Sequence, residues 1–405
     1  MSRAGRSGRM TFAARAVLAI CALVASAMAA GGATAWAEVP DCRSVDVPVP
    51  LSAGGQIVHL VGEVCYPTTE VESLEGAVQV LVSGTAYGRS YFDFPYQPDT
   101  YSYVRAATAA GFTTFNFDRI GIGGSTKPLG TQITVESNAH TIHEAITKLR
   151  AGTVDGTAYS KVVIVGHSLG SLITLYEAGT YKDVDAVVAS GILHSIEPIG
   201  VTEFLTTLTP AAIDPKFLGT VIDPTYITTR PGTRGRSFYY LPKTDPAVVA
   251  TDEQLKATAT VPEAVGVFAQ ELPGVLRPVS QVACAVTPTL CDGPAESLVY
   301  GVTRNITVPV LSVTGQYDAL LCGRTAPNKC SDVAAVKQDE STYYTGRAQR
   351  CLTVAQLPDA GHDVNLERNA PSWFELSNEW SKFMVENTGD AASCWSGSVA
   401  GLNFP

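Results

Sequence analysis

Gly166-His167-Ser168-Leu169-Gly170 sets one hydroxyl between two glycines, directly after four β-branched residues and before residues that suit a helix. A turn that tight, closing a strand and opening a helix, holds a serine exposed at a helix N-terminus, where it can act as a nucleophile. A hydroxyl attacks only when a base removes its proton, and the base needs an acid to orient it. Of the six histidines, His59 lies in an early hairpin, His140 and His143 precede the turn, His167 adjoins the serine and His194 follows a strand. His362, in the loop Pro358-Asp359-Ala360-Gly361-His362, is the expected base. Asp318, three residues past Gly315, is the expected acid, with Asp359 and Asp363 as rivals. Ser168, Asp318 and His362 then occur in the chain order that accompanies this kind of turn. Acyl transfer also needs donors aimed at a developing oxyanion. The N–H of Leu169 is one, and the N–H of Thr85, freed by Gly84, is the other.

These residues need a scaffold that presents strand ends together. Near-continuous apolar runs at 76–84, 112–117, 162–165, 185–190, 308–315 and 351–357 read as strands. Between them, helical patterns cover 101–110, 135–149, 168–178 and 371–385. The 135–149 stretch is the clearest, with Val135, Ala139, Ile142, Ile146 and Leu149 along one face. Apolar strands alternating with helices predict an α/β fold, a mostly parallel sheet covered on both faces. Ile57–Tyr66 reads as an antiparallel edge hairpin. Ligands of such sheets bind at the carboxyl ends of the strands, where all three candidate residues fall.

Residues 1–37 read as a secretory signal peptide: Arg3, Arg6, Arg9 and Arg15, an apolar run, then Ala35-Trp36-Ala37 before the cut. Residues 38–194 form the first part of the core and 308–405 the second. The interval 195–307 is too long for a loop and reads as an inserted cap, with helical stretches at 252–257 and 261–271. No later segment has the ~18 consecutive apolar residues of a membrane span, so an exported, extracellular protein is expected. Losing four arginines takes the formal net charge from −10 to −14, which argues against a nucleic-acid partner. Eight cysteines remain after the signal, an even number suited to disulfides in an exported chain. The economical pairing is Cys42–Cys65, Cys284–Cys291, Cys322–Cys330 and Cys351–Cys394. His140-Thr-Ile-His143-Glu144 lacks metal-helix spacing and is read as a surface or packing feature.

Taken in order, SGTAYG at 83–88, FDRIGIGGS at 117–125, GHSLGS at 166–171, GQYD at 315–318 and AGH at 360–362 resemble the α/β-hydrolase family. The resemblance implies that fold, with Ser168 as nucleophile, Asp318 as acid and His362 as base, and with Asp118 and Arg119 holding loops. Where many members carry His-Gly at the oxyanion loop, this chain has Ser83-Gly84. The expected activity is hydrolysis of a small-molecule or lipid-like carboxylic ester through an acyl-enzyme, requiring no metal or organic cofactor. An aminopeptidase-type peptidase, an acyltransferase and a non-catalytic binding relative are the alternatives. The aromatic run Tyr87–Tyr96 either lines an apolar pocket or packs the cap onto the sheet.

Overall fold

The computed structural model describes residues 38–220, 223–264, 302–323, 325–326, 329–389 and 391–405, besides Met1. The chain divides into units of residues 1–38 and 39–405, and all the described strands and helices lie in the second. The expected signal peptide, the 265–271 half of one expected helix and the Cys284–Cys291 pair lie outside the described residues.

Eight strands form one sheet: β1 (Cys42–Pro50), β2 (Ile57–Cys65), β3 (Ala77–Val82), β4 (Thr113–Phe117), β5 (Lys161–His167), β6 (Ala186–Ser190), β10 (Val310–Gly315) and β11 (Thr353–Leu357). Their order is β1-β2-β4-β3-β5-β6-β10-β11. β1–β2 and β2–β4 pair antiparallel, and the other neighbours pair in parallel. The inner strands are buried on both faces, which is why they read as unbroken apolar runs. The register Val82↔Gly166, His167↔Ser190 and Gly315↔Leu357 brings the carboxyl ends of five strands to one rim.

Helices α1 (Tyr103–Ala109) and α7 (Ala370–Glu386) pack Tyr103, Trp373, Phe374 and Trp380 on one face of the sheet. On the other lie α2 (Val135–Arg150) and α3 (Leu169–Tyr181). α2 begins where the periodicity predicts because Thr134 and Ser137 form a reciprocal cap, with Thr134 N donating to Ser137 Oγ at 2.8 Å and Ser137 N to Thr134 Oγ1 at 3.2 Å. The expected first helix is interrupted at Ser102, which is extended: a single turn over Pro98–Tyr101 precedes it, and Ser102 caps α1.

Between β6 and β10 the described residues form α4 (Pro198–Leu205), a small sheet of β7 (Leu208–Pro210), β8 (Tyr226–Thr229) and β9 (Ala259–Thr260), α5 (Arg234–Phe238) and α6 (Pro246–Leu255). α6 covers part of the expected 252–257 helix, but β7–β9 carry no sequence signal because each is four residues or fewer. Cys42–Cys65, Cys322–Cys330 and Cys351–Cys394 are bonded as expected. At the far edge of the sheet, Cys394 anchors the C-terminal tail, and Gln356 and Asn403 exchange backbone hydrogen bonds of 2.9 Å. No helix among the described residues is long and apolar enough to cross a membrane.

The histidines of α2 lie against Tyr181. His143 stacks on Tyr181 with ring centres 4.0 Å apart and meets Asp183 Oδ2 at 2.7 Å. Below them Glu177 is fully buried, and no donor reaches either of its carboxyl oxygens. Burial, and then the adjoining Asp183 carboxylate, push its pKa well above the usual 4.5. Such a group favours the fold fully below its unfolded pKa, and that contribution is lost as pH rises through the folded one. Glu177→Gln, neutral at every pH, is therefore expected to gain stability relative to the parent as pH rises above the titration range of an unfolded glutamate. The two should converge near pH 4, and urea melts across that range measure the difference.

Candidate active site

β5 delivers Ser168 at a sharp corner with φ 53° and ψ −123°, a conformation non-glycine residues rarely adopt. Two contacts fix the corner: Ser168 N donates to Ser190 O at 2.8 Å, and Leu172 N donates to Ser168 O at 3.1 Å. The flanking glycine is a matter of space, because a Cβ on Gly170 would lie 2.0 Å from Val82 O at the end of β3. Leu169 opens α3, so its N–H belongs to the first helical turn and has no acceptor within the helix.

The loop after β3 presses onto this corner. A Cβ on Gly84 would lie 3.0 Å from both His167 O and Ser168 Cβ, so any other residue would press on the corner. Thr85 follows, nearly buried, and shares a pocket wall with Ser168.

His362, in the loop after β11, is buried and places Nδ1 2.8 Å from Asp318 Oδ2. Asp318, fully buried past the end of β10, is itself held: its Oδ1 accepts from Leu320 N at 2.9 Å and Leu321 N at 3.2 Å. The Cys322–Cys330 disulfide closes the same loop. Burial pulls the His362 pKa down, but the Asp318 carboxylate outweighs it and the net shift is upward from 6.5. Nε2 of His362 is buried without a hydrogen-bond partner.

Ser168, Thr85 and His362 line one pocket. Its remaining walls are Ile192, Ile196, Val201, Phe204, Phe238, Ala264, Leu320 and Leu321, with Gly191. Most of these come from the interval between β6 and β10. The structure thus brings together four of the five residues expected from sequence around one pocket or its histidine, and sets the fifth, Leu169, next to Ser168. The rival acids lie elsewhere. Asp359 is exposed beside Lys243 at 3.6 Å, and Asp363 turns to His167, with Oδ1 3.0 Å from Nε2.

Sequence reasoning missed a buried polar cluster behind the site. The Tyr87 hydroxyl lies between Asp363 Oδ2 and Asp252 Oδ2, the latter at 3.0 Å. Arg234 grips Asp252 with Nε at 2.7 Å and Nη2 at 3.0 Å, and Tyr239 donates to the same carboxylate at 2.8 Å. The Arg234 guanidinium also sits 4.0 Å above the Tyr87 ring. Burial, then Asp252, raise the Asp363 pKa well above 3.8, and burial with neighbouring His362 drives that of His167 well below 6.5. His167 is therefore held neutral behind the nucleophile. The run Tyr87–Tyr96 serves packing and not pocket lining: Tyr91 stacks on His167 at 4.2 Å, and Tyr87 packs against Phe238 at 5.7 Å. No periodicity marks such a cluster. The charged Asp363 directly after the expected base was the available signal.

The family model described as "Alpha/beta hydrolase family" matches residues 79–372. No curated protein sequence matches the chain. Among solved structures, one titled as the DcsB complex with its substrate analogue superposes with a TM-score of 0.51 at 13% identity, covering 84% of this chain and 99% of that one. A probable hydrolytic enzyme from Pseudomonas aeruginosa gives 0.50 at 14% identity, covering 85% and 94%. At these identities the likeness speaks for the fold. With the family match running through the serine corner and the histidine loop, this chain belongs to the alpha/beta hydrolase family.

Proposed function

We propose that the protein is an exported serine hydrolase that cleaves a carboxylic ester. The observation that carries this reading is His362: its Nδ1 is fixed by Asp318, and its Nε2 is buried and unpaired in a histidine that shares the pocket with Ser168. In that arrangement Nε2 takes the proton as Ser168 Oγ adds to the ester carbonyl, and the amides of Leu169 and Thr85 receive the oxyanion. Collapse breaks the ester bond, and the proton on Nε2 passes to the departing alcohol. Water then adds to the acyl-enzyme with His362 again as base, releasing the acid and restoring Ser168. The family match supports a hydrolase, and the N-terminal segment and three disulfides support export.

The walls favour an ester over an aminopeptidase substrate. A free amine needs a carboxylate to receive it, and among the described lining residues none is acidic. Aliphatic and aromatic walls suit an apolar acyl or alcohol group. A fluorophosphonate is expected to modify Ser168 stoichiometrically in folded, oxidised protein, and a panel of esters, lactones and amino-terminal peptides to give turnover with apolar esters. Failure to label Ser168 sinks the proposal, and cleavage of peptides alone replaces its substrate class.

A further inference from the structure

We infer that Arg119 is a positioning residue for the oxyanion donor of Thr85, and that its buried partner Glu263 ties the pocket wall to the same clamp. The inference rests on the serine-hydrolase reading.

Arg119 is fully buried, and half of its hydrogen bonds go to the loop after β3. Nε donates to Ser83 O at 2.9 Å and Nη2 to Gly84 O at 3.2 Å. Nη1 donates to Asn138 Oδ1 at 3.0 Å and to Glu263. Two consecutive carbonyls are thus held by one rigid fork, a task a lysine ammonium cannot reproduce.

Peptide geometry turns that clamp into an aiming device. The Gly84 carbonyl and the Thr85 N–H belong to one planar trans unit and point in opposite directions. With the carbonyl fixed on Arg119, the N–H faces away from it. Gly84 backs onto Ser168, and Thr85 lines the pocket. Rotation of this unit turns ψ of Gly84 and φ of Thr85, and the missing Cβ of Gly84 loosens the first of these. A flip here would put a carbonyl oxygen where the oxyanion must form, replacing attraction with repulsion.

Glu263 links this device to the pocket wall. It is 1% exposed, and besides Arg119 it accepts from Asn138 Nδ2 at 2.9 Å and from Thr260 N at 2.9 Å. Its chain neighbour Ala264 lines the pocket. The wall and the donor therefore share one buried charge pair.

The test uses the full mature chain with Arg119→Lys and with the double variant Arg119→Met/Glu263→Met. Removing one charge alone strands its partner, whereas replacing a buried pair by apolar side chains often preserves stability, so the double variant guards against simple unfolding. Turnover of a p-nitrophenyl ester is expressed per fluorophosphonate-labelled serine, so that unfolded molecules are not counted. The expected result is a fall in kcat of about 10–100-fold per labelled site, somewhat less than deleting an oxyanion donor outright. KM should move little, and the labelling rate constant should fall in step with kcat while its end point holds. Normal kcat per labelled site in both variants, with loss confined to melting temperature or labelled fraction, overturns the inference and leaves Arg119 merely structural. Failure of the parent protein itself to label or turn over ester strikes the serine-hydrolase reading instead.

Discussion

Ser168→Ala is expected to lower ester turnover by on the order of 10⁴-fold or more, leaving only what the pocket and oxyanion donors provide without a nucleophile. The stability of the variant should match the parent within about 0.5 kcal/mol, because the change removes one hydroxyl at a pocket wall and fills no new space. The unusual backbone at φ 53° is shared by both side chains, so its strain cancels in the comparison. Steady-state kinetics with a p-nitrophenyl ester, beside a thermal melt, measure both halves. Turnover persisting at the parent rate would move the chemistry away from this corner. Loss of turnover accompanied by collapse of the melt would make Ser168 structural.

Asp318→Asn should cost on the order of 10³–10⁴-fold in kcat, and it should also change the shape of the pH profile. In the parent, His362 must be neutral to accept a proton, and its pKa lies above 6.5 because Asp318 outweighs the effect of burial, with a smaller push from Asp363. Activity should therefore rise with pH through a single midpoint above 6.5 and be lost as acid protonates the imidazole. Asparagine can still accept from Leu320 N and Leu321 N. It would present an amide N–H to Nδ1 in place of a carboxylate, which favours the tautomer with its proton on Nε2. Burial would then act unopposed by that charge, and the midpoint should move downward. A kcat/KM profile with the parental midpoint and only a modest loss would show that Asp318 does not orient the base.

The parts of the molecule that the chain announces are those governed by local rules. Strand ends, the glycines around Ser168 and the periodic face of α2 each follow from neighbours within a few residues. The pairing of Asp318 with His362 was also accessible, because chain order and strand ends narrow the choice. What escaped depends on contacts between distant positions. Arg119 and Glu263 lie 144 residues apart, and no spacing rule joins them. FDRIGIGGS suggested that Arg119 holds a loop, but not that the loop is the one carrying Thr85. Arg234, Asp252 and Tyr87 escaped likewise, since a buried charge cluster leaves no periodic trace. The pocket walls come largely from the interval before β10, where short strands without a sequence signal stand beside α6. The reactive atoms are therefore more legible than the shape of what they act on.

The far edge of the sheet bears on how the molecule keeps to itself. β1 guards its own margin with Arg43, Asp46, Pro48 and Pro50, residues that discourage another chain from pairing there. β11 reads TVAQL, buried throughout, and as an unguarded margin it would be an invitation to self-association. Its guard is the tail: Asn403 occupies the pairing groups of Gln356, and the Cys351–Cys394 bond tethers the segment that brings it there. In a reducing compartment that tether opens, and the segment is then held by the Gln356–Asn403 pairing and by Val399, Leu402 and Phe404 packed on the core. The last dozen residues, remote from the serine, thus cover the margin along which a second copy could otherwise pair.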